Sequence, residues 1–181
     1  MAREFDDPER EAVRQAALRH IRQFGDPVLR TPAAPIEVFD DALRREAEQM
    51  IGLMHEARGV GLAAPQVGRL RRLIVVDPRD DEPPRALVNP TIVERSDEEE
   101  MGQEGCLSIG EVLMDVSRAV RIRVTAQDVE GNALEFDAED YEARVLQHEI
   151  DHLDGILILD RTPKDQRKEA LRQLRESLRG Q

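Results

Sequence analysis

The segment Gln147-His148-Glu149-Ile150-Asp151-His152 carries two histidines four residues apart, with a glutamate directly after the first. On a helix, residues i and i+4 share one face about 6 Å apart. His148 and His152 can therefore grip a single metal ion. Glu149 can reach a water on that ion and serve as its general base. The chemistry on offer is metal-assisted hydrolysis, but two ligands do not close such a site, which normally takes three protein ligands and keeps one open position. The familiar extension H-E-x-x-H-x-x-G-x-x-H is missing: Gly155 fits its glycine, but Ile158 stands where the histidine belongs. Asp154 and Asp160 are downstream candidates for the third ligand. Cys106, the only thiol, lies upstream in Glu104-Gly105-Cys106-Leu107-Ser108. A lone cysteine is often a buried filler, yet this Gly-flanked position suits a strand-entry ligand that presents a thiolate to the helix. In Gly59-Val60-Gly61-Leu62-Ala63-Ala64-Pro65-Gln66, the glycines permit close backbone approach and Gln66 offers an amide donor to an oxyanion. No G-K-[ST] follows, so this is not a phosphate loop. His20 and His55 have no such partners and read as surface or boundary residues.

The helix that must hold the histidines is predicted from about Asp140 to Leu153, with Gly155 just beyond it. Tyr141, Val145, His148 and His152 fall in one sector, Ala143, Leu146, Ile150 and Leu153 fill the next, and only Arg144, Gln147 and Asp151 form a polar stripe. A helix apolar around most of its girth sits inside the protein. Before it, Val120, Ile122, Val124 and Ala126 alternate with polar residues, and Leu134, Phe136 and Ala138 alternate again after a turn at 130–132. That pattern predicts a hairpin with one buried face. Leu73–Val76 reads as a buried strand, and Ala86–Val88 as a short one ended by Asn89-Pro90. Asp97–Glu100, four acids in a row, reads as a solvated loop. A helix is expected over residues 8–22, with Val13, Ala16, Ala17 and Ile21 at helical spacing, followed by an extended connector imposed by Pro27, Pro32 and Pro35. A second helix starts at an Asp40 cap and ends at Gly59 as its C′ glycine. A last helix runs from Pro163 to Gln181 with the stripe Ala170, Leu171, Leu174 and Leu178. From Lys164 onward it holds six basic and three acidic side chains.

The chain has 181 residues and a net charge of −12, which disfavours a protein whose main task is gripping nucleic acid. One cysteine excludes an internal disulfide framework. The acidic start, Met1–Asp7, has no apolar stretch and is not expected to act as a signal peptide, and no apolar run nears the ~18 residues of a membrane span. A cytoplasmic protein is expected. Without the three chemical segments, a general metallopeptidase or a module holding a structural metal would also suit a lone H-E-x-x-H.

Together, Gly59–Gln66, Glu104–Ser108 and Gln147–His152 resemble the peptide deformylase family, marked in this order by G-x-G-L-A-A-x-Q, E-G-C-L-S and Q-H-E-x-D-H. The resemblance extends to Asp26–Arg30 and to His152–Gly155, covering about residues 25–162. It implies an α+β fold, with mixed or antiparallel sheets around a central buried helix carrying H-E-x-x-H. The whole chain, 1–181, would be one catalytic domain, with a helical extension over 1–22 and a basic C-terminal helix over 163–181. The implied reaction removes the formyl group from the formyl-methionine of new polypeptides, releasing formate, in a bacterial cytoplasm. By the same resemblance, Cys106, His148 and His152 bind the metal and Glu149 moves the proton. Gln66 and the Leu107 N–H hold the oxyanion, Val60, Gly61 and Gly105 pair with substrate backbone, and Val60 and Val145 line the methionine pocket. The resemblance implies one divalent ion, Fe²⁺ in the cell, while the ligand types alone also suit Zn²⁺, Ni²⁺ or Co²⁺. The implied partner is the formyl-Met nascent peptide, with ribosome contact through the C-terminal helix. Gly110 replaces a usual proline, which should loosen the chain leaving the metal strand. Arg58 takes an often acidic position opposite Arg118, so a loop-to-strand ion pair is expected to be lost.

Overall fold

The computed structural model describes residues 7–78 and 81–179. Five helices are α1 (Pro8–Leu18), α2 (Asp41–Glu56), α3 (Asp140–Leu153), α4 (Ile158–Arg161) and α5 (Lys164–Arg179). Seven strands are β1 (Gly61–Ala63), β2 (Leu73–Val76), β3 (Arg85–Arg95), β4 (Glu99–Glu104), β5 (Met114–Ala119), β6 (Arg121–Gln127) and β7 (Ala133–Glu139). They form a five-stranded sheet, β1-β2-β3-β6-β7, and a two-stranded ribbon, β4-β5. All pairings between these strands are antiparallel. The fold is the expected α+β arrangement, with α3 packed against both sheets.

The run Leu73-Ile74-Val75-Val76 has no polar alternation because β2 is covered on both faces. Ile74 and Val76 share a core with Val145, Leu146, Ile150 and Leu153 of α3. Leu73 and Val75 meet Leu43, Met50 and Met54 of α2 instead. The expected β6–β7 hairpin is present, with Ile122 opposite Ala138 and Val124 opposite Phe136 on its apolar face. A third core joins Met114 and Val116 of β5 to Leu157–Leu159, Ala170 and Leu174, and it includes Cys106.

Several expectations are corrected. α1 stops at Leu18, and Val13 is half exposed, so the helix docks through Ala17 and, beyond its end, Ile21. Pro27–Arg30 is a 3-10 turn, not extended chain, capped by the Asp26 carboxylate accepting from Val28 N–H at 3.0 Å. After α2 it is Arg58, at φ 58°, that takes the left-handed position, not Gly59. β3 continues through Asn89-Pro90 on two register shifts. There Asn89 adopts φ 51° and its side chain bonds both the N–H and the carbonyl of Ile36 at 2.8 Å. Glu99 and Glu100 are solvated as expected, but they belong to strand β4, not to a loop. In the last helix Ala170 and Leu174 are buried, while the Leu178 side chain lies outside the described residues.

Candidate metal centre

Three segments meet over α3. Cys106 sits just past the end of β4, at its exit and not its entry, in a turn closed by Ile109 N–H donating to the Cys106 carbonyl at 2.9 Å. His148 and His152 project from α3 toward it. Cys106 Sγ lies 3.4 Å from His152 Nε2, and the two Nε2 atoms are 3.3 Å apart. All three donor atoms fall within 4.8 Å of one another. Bond lengths of about 2.3 Å to sulfur and about 2.0–2.1 Å to nitrogen place tetrahedral ligands about 3.3–3.6 Å apart, so the donor set fits one divalent ion. Asp154 and Asp160, the alternative third ligands, lie outside this group. Asp154 accepts from Arg72 at 2.8 Å, and Asp160 is bonded to Arg30 and to Leu157 N–H.

The ring orientations follow from the surroundings. His148 Nδ1 meets Glu104 Oε2 at 2.9 Å, which places a proton on Nδ1 and turns Nε2 toward the centre. Burial pushes His148 toward the neutral form, but hydrogen bonds to Cys106 and Glu104 outweigh it and raise the ring's pKa. Burial, reinforced by the His148 and Arg118 charges, pushes His152 well below its usual value. His152 Nδ1 is buried with no hydrogen-bond partner among the described residues. Burial alone would raise Glu104, yet bonds from His148 and Arg118 hold its carboxyl at about 2.

Glu149 faces the same space. Burial raises its carboxyl to about 7, and Oε2 has no hydrogen-bond partner among the described residues. Gly61 makes room for it: a Cβ at that position would stand 2.3 Å from Glu149 Oε1. Gln66, on a 3-10 turn over Ala64–Val67, is fully oriented. Its Oε1 accepts from Ala63 N–H at 2.9 Å, so its NH₂ points inward, 3.1 Å from Ser108 Oγ and 3.7 Å from Cys106 Sγ. Val60, Gly61, Gly105, Leu107 and Val145 line the same cleft, of about 1260 Å³. The Val60 carbonyl already accepts from Asp77 N–H at 2.8 Å. His55 is paired with Asp77 at 2.7 Å, and neither it nor His20 belongs to the centre.

Sequence reasoning did not bring Glu104, Arg118, Arg144 and Asp151 together as a charge network beneath the site. Glu104 also accepts from Arg118 Nε and Arg144 Nη1, both at 2.9 Å. Arg118 in turn bonds Asp151, which Arg161 also holds at 2.8 Å. Among the described residues no ion pair joins position 58 to Arg118, as expected: Arg118 is buried and paired with Glu104 and Asp151 instead, and Arg58 finds Glu11 on α1 at 3.6 Å. The polar stripe of α3 is mostly internal. Gln147 donates to the Ala119 carbonyl at 2.9 Å and accepts from its N–H at 3.2 Å. The signal available was a stripe of three polar residues on a helix otherwise dictated to be buried.

Residues 18–168 match the family model for polypeptide deformylase. A peptide deformylase of Thermotoga neapolitana is 46% identical over 163 residues, covering 88% of this chain and 98% of that protein. One from Dictyoglomus thermophilum is 49% identical over 148 residues, covering 82% and 95%. The crystal structure of peptide deformylase from Thermus thermophilus superposes with a TM-score of 0.82 at 47% identity, covering 88% of this chain and 94% of that one. The order of the three segments, their convergence on one cleft and these likenesses agree, and the chain belongs to the polypeptide deformylase family.

Proposed function

We propose that Cys106, His148 and His152 hold one divalent ion and that Glu149, Gln66 and the Leu107 amide carry out deformylation around it. As a family member, the chain is a hydrolase that removes the formyl group from the N-terminal methionine of new polypeptides. The observation that carries the site assignment is the spacing of the three donor atoms, 3.4 and 3.3 Å along the Cys106–His152–His148 path. A bound divalent ion supplies Lewis-acid polarisation and a water acidic enough to attack near neutral pH. With the ion bound, Glu149 would take the proton of the attacking water and return it to the leaving amine, a role suited to a buried carboxyl whose Oε2 has no other partner among the described residues. The Gln66 NH₂ and the Leu107 N–H hold the oxygen that becomes negative. Backbone groups of Val60, Gly61 and Gly105 align the peptide as an added strand, and Val60 and Val145 line the methionine side chain's pocket.

One thiolate and two imidazoles suit Fe²⁺, Zn²⁺, Co²⁺ or Ni²⁺; iron as the cellular metal rests on the family resemblance. A structural metal would ask for four protein ligands, and three gather here among the described residues. A nascent-chain substrate supports a cytoplasmic location; separately, no helix among the described residues is long and apolar enough to cross a membrane. Ribosome contact through α5 is supported by its excess of basic residues, although Arg172 is neutralised by Glu169 and Glu176. Formate release from a formyl-Met peptide tests the function: metal-loaded protein releases it, and Glu149→Ala keeps its metal while losing about 10²–10⁴-fold in rate. Cleavage of internal bonds in an unformylated peptide, with no formate, would overturn the reading.

A further inference from the structure

α1 lies almost entirely ahead of the residues that match the family model, yet it walls the catalytic cleft. Arg14, Gln15, Leu18 and Arg19 line that cleft together with Arg58 and the metal-centre residues. The segment is anchored from both sides. Ala17 and Ile21 are buried in the α2 core. Past the helix, Arg22 N–H donates to the Gln66 carbonyl and Phe24 N–H to the Ser108 carbonyl, both at 2.7 Å, and Gln23 Nε2 donates to the Leu107 carbonyl at 3.1 Å. The wall is thus fixed to the backbone of the residues that face the reacting group.

The segment itself is charge-balanced, with Asp7, Glu9 and Glu11 against Arg10, Arg14 and Arg19, but the charged side chains it turns to the cleft are arginines, in a chain of net −12. Arg14 meets Glu11 at 3.1 Å and the largely exposed Glu111 only at 3.9 Å. Arg58 shares Glu11 at 3.6 Å, and Arg19 is exposed with no ionic partner among the described residues. On this side of the cleft, Arg14, Arg19 and Arg58 stand against Glu11 and Glu111, while Glu104 and Arg144 deeper in the cleft pair with each other. The cleft, about 1260 Å³, is larger than the ~300–1,000 Å³ of most small-molecule sites and has room for residues beyond formyl-methionine.

We propose that α1 is a specificity element of this enzyme: Arg14 and Arg19, with Arg58, select formylated peptides carrying acidic side chains in the first residues after methionine. The inference rests on the deformylase reading. The chain's overall negative field works against such substrates, so a preference for them must come from local charge. The test compares formyl-Met-X-X-Ser peptides with X as Asp, Ala or Lys, at low salt, on the metal-loaded protein. Screened surface pairs sum to roughly five- to tenfold in kcat/KM for Asp over Lys, carried by KM and shrinking as salt rises. Arg19→Glu, at an exposed position that should fold normally, is expected to bring the ratio to one or below, and Arg14→Gln to lower it. Turnover of the Ala peptide with equal kcat/KM for Asp and Lys would remove this inference alone. A ratio untouched by Arg19→Glu would do the same. Absence of turnover on all three peptides would sink the deformylase reading and the inference with it.

Discussion

Replacing Glu104 by glutamine should loosen the fold and the metal centre together. The carboxylate accepts from His148 at 2.9 Å, from Arg118 at 2.9 and 3.0 Å and from Arg144 at 2.9 Å, and it is buried. A glutamine has one acceptor oxygen for these donors and no charge against a buried Arg118. Holding the carboxyl at about 2 instead of 4.5 corresponds to roughly 3 kcal/mol at neutral pH, at about 1.4 kcal/mol per pH unit. Removing one partner of a buried ion pair independently costs about 3–5 kcal/mol. Both routes place the loss near 3 kcal/mol. The His148 ring also loses the acceptor that orients it, which for such supporting groups costs roughly 10–100-fold in metal affinity. Urea unfolding of metal-free protein reads the first quantity, and competition against a chelator reads the second. The sign of the pH dependence is fixed as well. Glu104's folded value is depressed, so its contribution is complete above about 4.5 and is lost as pH falls toward about 2. The gap between wild type and Glu104→Gln should therefore narrow across that window. A variant within about 0.5 kcal/mol of wild type, with unchanged metal affinity, would refute this account of how the charges beneath α3 support the site.

Gly61→Ala should displace Glu149, whose Oε1 would lie 2.3 Å from the new Cβ. Metal content should stay normal while kcat falls by about 10²-fold or more; an alanine variant with wild-type kcat would contradict that packing. Gly110→Pro, the change toward the family's usual residue, should destabilise this chain. Gly110 sits at φ 69° and proline is locked near −65°. A loss of more than about 1 kcal/mol in thermal or urea unfolding is expected, and a more stable variant would show that the loop refolds. Gln66→Leu should lower kcat by about 10²–10³-fold with little change in KM; a KM effect alone would assign Gln66 to binding.

The bounds of α3 were legible because burial on almost every side leaves a clear periodic signature, and its histidines share a face whatever surrounds them; Tyr141, expected in their sector, is exposed instead, and the polar stripe is internal. β2 was legible because an unbroken apolar run of four is what a strand covered on both faces requires. Asn89-Pro90 misled because a left-handed Asn and register shifts carry β3 through a sequence that elsewhere stops a strand. Glu99 and Glu100 misled because β4 pairs only with β5, and its outer end is solvated enough to tolerate acids. The Glu104–Arg118–Asp151 network was invisible for a different reason. Its members are 14 and 33 residues apart along the chain, and no local pattern marks which charges will be buried together. At Gly110 the chain takes a positive φ that glycine meets and proline cannot, a backbone requirement no residue pattern announced.

X-ray absorption at the metal edge of protein loaded with a single divalent ion tests the central claim most directly. One sulfur at about 2.3 Å and two imidazole nitrogens at about 2.0–2.1 Å are expected, with the sulfur shell lost in Cys106→Ser. A shell of nitrogen and oxygen alone in the unaltered protein would contradict it.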